Sequence, residues 1–148
     1  MQGKEYRYAE KVLYSYRANV ERASMLALEL DILREAGDVK AQKYGQTPGN
    51  VSGIGDPVSS HVMEVLRLEA RLKRVMRRVS PVNQLREDLE KGRVITITSP
   101  KNLLLILDKY YIAGSTVNEF LRVYRWSRSI FYVRRRELVM ITGEYLRA

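Results

Sequence analysis

The residues best suited to chemistry crowd the last quarter of this chain. Between Arg122 and Arg136 stand six arginines, at positions 122, 125, 128, 134, 135 and 136, with no acid among them. Ser127, Ser129, Trp126, Phe131 and Tyr132 are interleaved with them. A guanidinium is a planar fork of donors that fits a phosphate, or the edge of guanine, through two parallel bonds. Short hydroxyls and a phenol can donate or accept beside it. That inventory grips a polyanion; it makes and breaks no bonds. Nucleophile–base pairs need histidine, cysteine or gathered carboxylates. The chain has one histidine, His61, no cysteine, and acids without D-x-D or H-E-x-x-H spacing. No catalytic residue, no metal ligand and no cofactor is expected, and an enzyme is the least favoured class. Only a metal-dependent nuclease built from carboxylates distant in sequence escapes this test. The bland reading is a solvated face for the arginines and core for the aromatics. Six bases without an acid exceed what solubility asks.

Charge along the chain points the same way. The net charge is +9 over 148 residues. Residues 1–59 balance eight basic against eight acidic side chains, residues 60–100 carry nine against five, and residues 101–148 nine against four. The excess therefore lies in the second half, where a polyanion partner is expected. At 45% hydrophobic the chain can bury a core. No apolar run approaches membrane-spanning length and Met1 opens onto polar residues, so no membrane partner and an intracellular, cytoplasmic location are the expectations.

The elements that must position these residues read as helices. From about Lys4 to Ala36 the chain has no proline and no interior glycine. Ala9, Leu13, Tyr16, Val20, Ala23, Ala27 and Leu30 step by threes and fours, with Leu26 and Leu33 widening the stripe, and Gly37 is the expected stop. Residues 1–44 are thus a helical packing or oligomerisation segment. "GQTPGNVSGIGDP" at 45–57 is a Gly/Pro linker. Its Gly53-x-Gly55 lacks the third glycine and preceding strand of a nucleotide loop. Asp56-Pro57 opens a basic middle helix whose apolar face is Val62, Val65, Leu68, Leu72, Val75, Met76 and Val79, with His61 on the surface. Arg77 and Arg78 come late in that helix, where its dipole favours cations. Ser80-Pro81 starts a further helix ending near Gly92, with Leu85 and Leu89 inward. "RVITITS" at 93–99 alternates like a strand but has nothing to pair with, so it is extended or a helix lead-in. Ser99-Pro100 starts another helix, with Leu104, Ile106, Leu107 and Tyr111 apolar, and Ala113-Gly114 ends it.

Thr116-Val-Asn-Glu119 is a capping box. It opens a short helix with Phe120, Leu121 and Tyr124 inward. Arg125-Trp126 is a break, and Ser127 caps a last helix to about Tyr145. Helix, tight turn and capped helix is the helix-turn-helix plan. The first turn of the second helix would enter the major groove with Arg128 and Ser129. Tyr132, one turn on, would reach a phosphate or a base edge. Arg134, Arg135 and Arg136 span most of the circumference, so one or two of them would meet phosphate. Arg125 and Ser127 in the turn complete the candidate DNA-binding set. Ile130 and Phe131 would face inward, against Phe120, Tyr124 and Trp126.

"YYIAGSTVNEFLRVYRWSRSIFYVRRREL" resembles the region-4-like helix-turn-helix of sigma factors. With "GIGDP" at 53–57, "YYIAG" at 110–114 and "SRSIFYVRRREL" at 127–138 in that order, the last two thirds of the chain are similar to the small phage late-gene transcriptional regulators of Gram-positive hosts (RinA/ArpU-like). The resemblance implies a helix-turn-helix over 115–146 that binds double-stranded DNA and activates late genes of a phage or prophage, with RNA polymerase as a further candidate partner. Two positions depart from the pattern. Leu121 stands where such motifs usually place alanine at the close helix–helix contact, and Arg125 where they usually place glycine in the turn. Arg125 must then tolerate a left-handed backbone, or the turn is of another type.

The expected fold is all-α: a long N-terminal helix, a basic middle helix and a C-terminal helix-turn-helix within a 58–148 domain. The expected function is sequence-specific regulation of transcription by a homodimer or higher homo-oligomer. A phage small terminase subunit, marking DNA for packaging, is the nearest rival. An interaction module that binds RNA polymerase and ignores DNA sequence is another. An RNA-binding role lacks the exposed aromatic platform that single strands call for.

Overall fold

A computed structural model describes residues 3–45 and 57–148. The fold is all-α. Five helices follow one another among the described residues: α1 (Gly3–Gly45), α2 (Pro57–Glu90), α3 (Pro100–Leu105), which runs on into a π-helical stretch (Ile106–Ile112), α4 (Val117–Tyr124) and α5 (Arg128–Arg147). The chain divides into two compact units, Met1–Val20 with Arg77–Ala148, and Glu21–Met76. Of the expected 45–57 linker, Gly45 closes α1 and Pro57 opens α2; residues 46–56, the Asp56 cap among them, lie outside the described residues.

Two expectations about helix ends, and one about His61, need correction. Gly37 does not stop α1, which continues to Gly45. A Cβ at Gly37 would fall on the His61 ring, so this glycine serves close approach rather than a left-handed cap. His61 is correspondingly half-buried rather than on the surface. Ser80-Pro81 does not begin a new helix either: α2 passes straight through Pro81. The proline removes one backbone bond to Arg77. Val79, Val82, Leu85 and Leu89 are buried on both sides of it and hold the helix against that loss. Gly92 then ends α2 with φ 68°, while Arg93 N bonds Asp88 O at 2.8 Å, the left-handed glycine cap of a Schellman turn.

In the first unit the start of α1 contributes Ala9, Val12 and Leu13 to a core shared with Val82, Leu85 and Leu89 of α2, Leu103 to Tyr111 of the third helical segment, and Phe120, Phe131, Leu138 and Val139. Fully buried side chains of this kind contribute ~1.5–3 kcal/mol each. The alternating "RVITITS" segment forms no strand; its backbone turns and bends, and Ile95 and Ile97 are 101% and 100% exposed while Val94 packs on the core. In the second unit α1 and α2 zip through Leu26, Leu30 and Leu68, with Leu33, Val65, Leu72 and Val75 against them. Val62, expected on this inner face, is exposed.

Candidate nucleic-acid interface

The local signals in residues 113–128 produce the geometry they imply. Gly114 takes φ 78° after the π-helical stretch. Thr116 and Glu119 form the reciprocal capping box, with Glu119 N donating to Thr116 Oγ1 at 3.2 Å and Thr116 N to Glu119 Oε2 at 3.4 Å. After one short helix, Arg125 adopts φ 57° and ψ 39°, the left-handed one of the two alternatives open for this turn. Ser127 returns to extended backbone, and its Oγ accepts from Ile130 N at 3.3 Å to start α5. A left-handed arginine costs ~1–2 kcal/mol and glycine would relieve it, less the ~0.4–1 kcal/mol of unfolded-state entropy that glycine adds. Arg125→Gly is therefore expected to raise the thermal midpoint slightly while removing one exposed cation, as paired melting and DNA-binding curves would show.

Aromatic contacts lock the two helices. The Phe120 ring lies 4.7 Å from Tyr124, 5.1 Å from Trp126 and 5.1 Å from Phe131, and Phe131 lies 5.2 Å from Tyr110. Leu121 is half-buried against the same cluster. Phe131 faces inward as expected, but Ile130 does not: one helical step of 100° carries it off the buried line, and it is exposed.

The arginines sort themselves by this phase. Arg134 lies over the Trp126 ring, 4.4 Å from its centroid. Arg135 turns inward, 3.5 Å from Glu10 Oε1 and 3.4 Å from the Tyr110 hydroxyl, with the Tyr132 ring 5.1 Å from its guanidinium. Tyr110 in turn bonds Tyr14 of α1, 2.6 Å between hydroxyls. Burial, and then that bond, raise the Tyr14 phenol well above its ordinary pKa. Arg128 is exposed and donates to Asn118 Oδ1 at 2.7 Å, tying α5 back to α4. Arg125, Ser127, Ser129 and Arg136 are exposed; the Ser127 and Ser129 hydroxyls stand 3.4 Å apart.

What α5 presents outward is a continuous strip. Ser129, Tyr132, Val133, Arg136 and Met140 fall within roughly 100° of arc. Tyr132 is 42% and Val133 69% exposed. Val133 is absent from the sequence-derived set, although Phe131 as the inward residue fixes the phase and places it outward. On the α1 side the strip borders Gly3, Tyr6 and Arg7, which share a surface groove with Arg136 and Met140. The first turn of α5 carries no acid, so its free N–H groups and dipole favour an anion.

The opposite border is held by Glu137. Its carboxylate accepts from Ile97 N at 2.7 Å and Thr98 N at 2.9 Å, fastening the 93–99 segment to the flank of α5. Burial alone would raise this carboxyl; bonds from the Thr98 side chain and the Ile97 and Thr98 amides outweigh it and lower the pKa. A lowered folded value means the anchor is in place above the unfolded carboxyl range, ~4.3, and is lost as pH falls through the folded value. Glu137→Ala is expected to free the Ile97 and Thr98 amides, raising their hydrogen-exchange rates at least ~10-fold at neutral pH, since a charge-assisted bond contributes ~1.5–3 kcal/mol. Wild-type amides should approach the variant's rates only in strong acid, once intrinsic exchange is corrected for.

Comparison with protein-family models, with curated proteins and with solved structures gives no match.

Proposed function

We propose that this chain binds double-stranded DNA through α4, the Arg125 turn and α5, reading sequence with the outer strip of α5, and that it regulates transcription of phage or prophage late genes. One observation carries the DNA contact: a Ser127-capped helix, packed from behind on Phe131, exposes hydroxyl, phenol, methyl and guanidinium groups on one strip beside a turn rich in arginine. Ser129, Tyr132 and Arg136 match donors and acceptors on base edges, and Val133 matches a thymine methyl. Arg122, Arg125 and Arg128, exposed beside that strip, are the cations this reading offers to flanking phosphates. Arg134 and Arg135 belong to the scaffold in this reading, since their charges already rest on Trp126, Glu10 and Tyr110. The regulatory role, and RNA polymerase as a partner, rest on the resemblance to the phage late-gene regulators.

Fluorescence anisotropy of a labelled duplex, titrated from low to physiological salt, tests the contact. Three to five phosphate neutralisations give a log–log slope of roughly −3 to −5. Binding that ignores salt, or its absence at low salt, would overturn it.

A further inference from the structure

The second unit, Glu21–Met76, carries more apolar surface than its own packing uses. α1 turns Leu26 and Leu30 towards Leu68 of α2. On the far side of α1 stand Met25, Leu28 and Ile32; on the far side of α2 stand Val62, Met63 and Leu66. These six residues are between 49% and 65% exposed. At 100° per residue, Leu28 and Ile32 point about 160° from Leu30, and Leu66 points about 160° from Leu68. The hairpin thus has two apolar edges on opposite sides, each at helical spacing. Single exposed apolar residues are ordinary, but two spaced stripes are an interaction surface.

Charge says what covers them. Exposed Glu29, Asp31 and Glu35 outnumber Arg22 around the α1 stripe; beside the α2 stripe Arg67 stands with Glu64, and exposed Lys73 and Arg74 follow about two turns on, level with the start of the α1 stripe. An α1 edge facing another α1 edge would oppose acid to acid, and an α2 edge facing another α2 edge base to base. An α1 edge facing an α2 edge sets opposite net charges against each other, with Ile32 and Leu66 at the same level. Arg34 bonds Glu69 at 2.7 Å and Gly37 seats against His61, so Ile32 stands about level with Leu66; the two stripes meet there and extend in opposite directions along the hairpin.

We infer that the occupant of each edge is a second copy of this chain, joined head to tail, with the α1 edge of one protomer against the α2 edge of the next. Such a heterologous contact always leaves one edge free at each end, so it closes as a ring of three or more copies or keeps growing. It uses no residue of the DNA-facing strip, and its failure would leave the DNA reading standing.

Light scattering of the full chain, with and without edge variants, is the test. The wild type is expected at three or more times the 17.2 kDa chain mass. Leu28→Gln with Ile32→Gln should give a monomer, and so should Met63→Gln with Leu66→Gln, with helical circular dichroism unchanged because these side chains are exposed. Mixing the two variants in equal amounts leaves one intact α1 edge and one intact α2 edge, and should yield a 1:1 dimer that grows no further. A wild-type monomer or dimer would overturn the inference. So would either double variant keeping its assembly, or a mixture that stays monomeric.

Discussion

Phe131→Ala is expected to lower the stability of the first unit by ~3–5 kcal/mol, the usual cost of emptying a phenylalanine site in a packed core. Phe131 is fully buried and touches three parts of the fold at once: Phe120 of α4, Tyr110 of the π-helical stretch, and the Tyr132 ring at 5.5 Å on its own helix. Small domains hold only ~5–15 kcal/mol in total. Each kilocalorie moves the midpoint of a unit this size by about 4–8 °C, so a fall of roughly 12–40 °C should appear in thermal melts. Phe131→Leu keeps most of the volume and should lose less than half as much. Equal losses for the two variants would mean that the site is not the packed junction the ring distances describe.

Tyr132→Ala combined with Arg136→Ala is expected to lower stability far less, by ~1–2 kcal/mol, because Arg136 is exposed and Tyr132 gives up only its edge contact with Phe131 and its stacking on Arg135. Duplex affinity should fall by at least ~30-fold at fixed salt, from ~1–3 kcal/mol for each of the two specific contacts. Arg135→Gln is the control. Its side chain is only 19% exposed and faces Glu10, so its loss should lower the melting midpoint and leave the salt slope of DNA binding unchanged. If Arg135 and Arg136 behaved alike, the division of α5 into a scaffold side and a reading side would be wrong.

Much of the C-terminal geometry was legible because it is written in local signals. Thr116, Glu119, Ser127 and Gly114 each act within four residues, and each appears in place; the left-handed Arg125 was one of two alternatives raised by the resemblance. Signals that depend on a distant neighbour were misread. Gly37 looks like a stop until His61 lies against it, and Pro81 looks like a start until the buried residues flanking it are seen to carry the helix through. The arginines at 134, 135 and 136 are alike in sequence; only Trp126, Glu10 and Tyr110 distinguish their roles. Nothing near Glu137 in the sequence marks its role, since its partners lie about 40 residues away in an irregular segment. Val133 was within reach of helical phase alone.

Selection of bound duplexes from a random pool at near-physiological salt, for the wild type and for the Tyr132→Ala, Arg136→Ala variant side by side, tests base reading by α5 most directly. Reading by that strip requires an enriched motif with the wild type that disappears with the variant. No enrichment with the wild type, or the same motif recovered by both proteins, would contradict it.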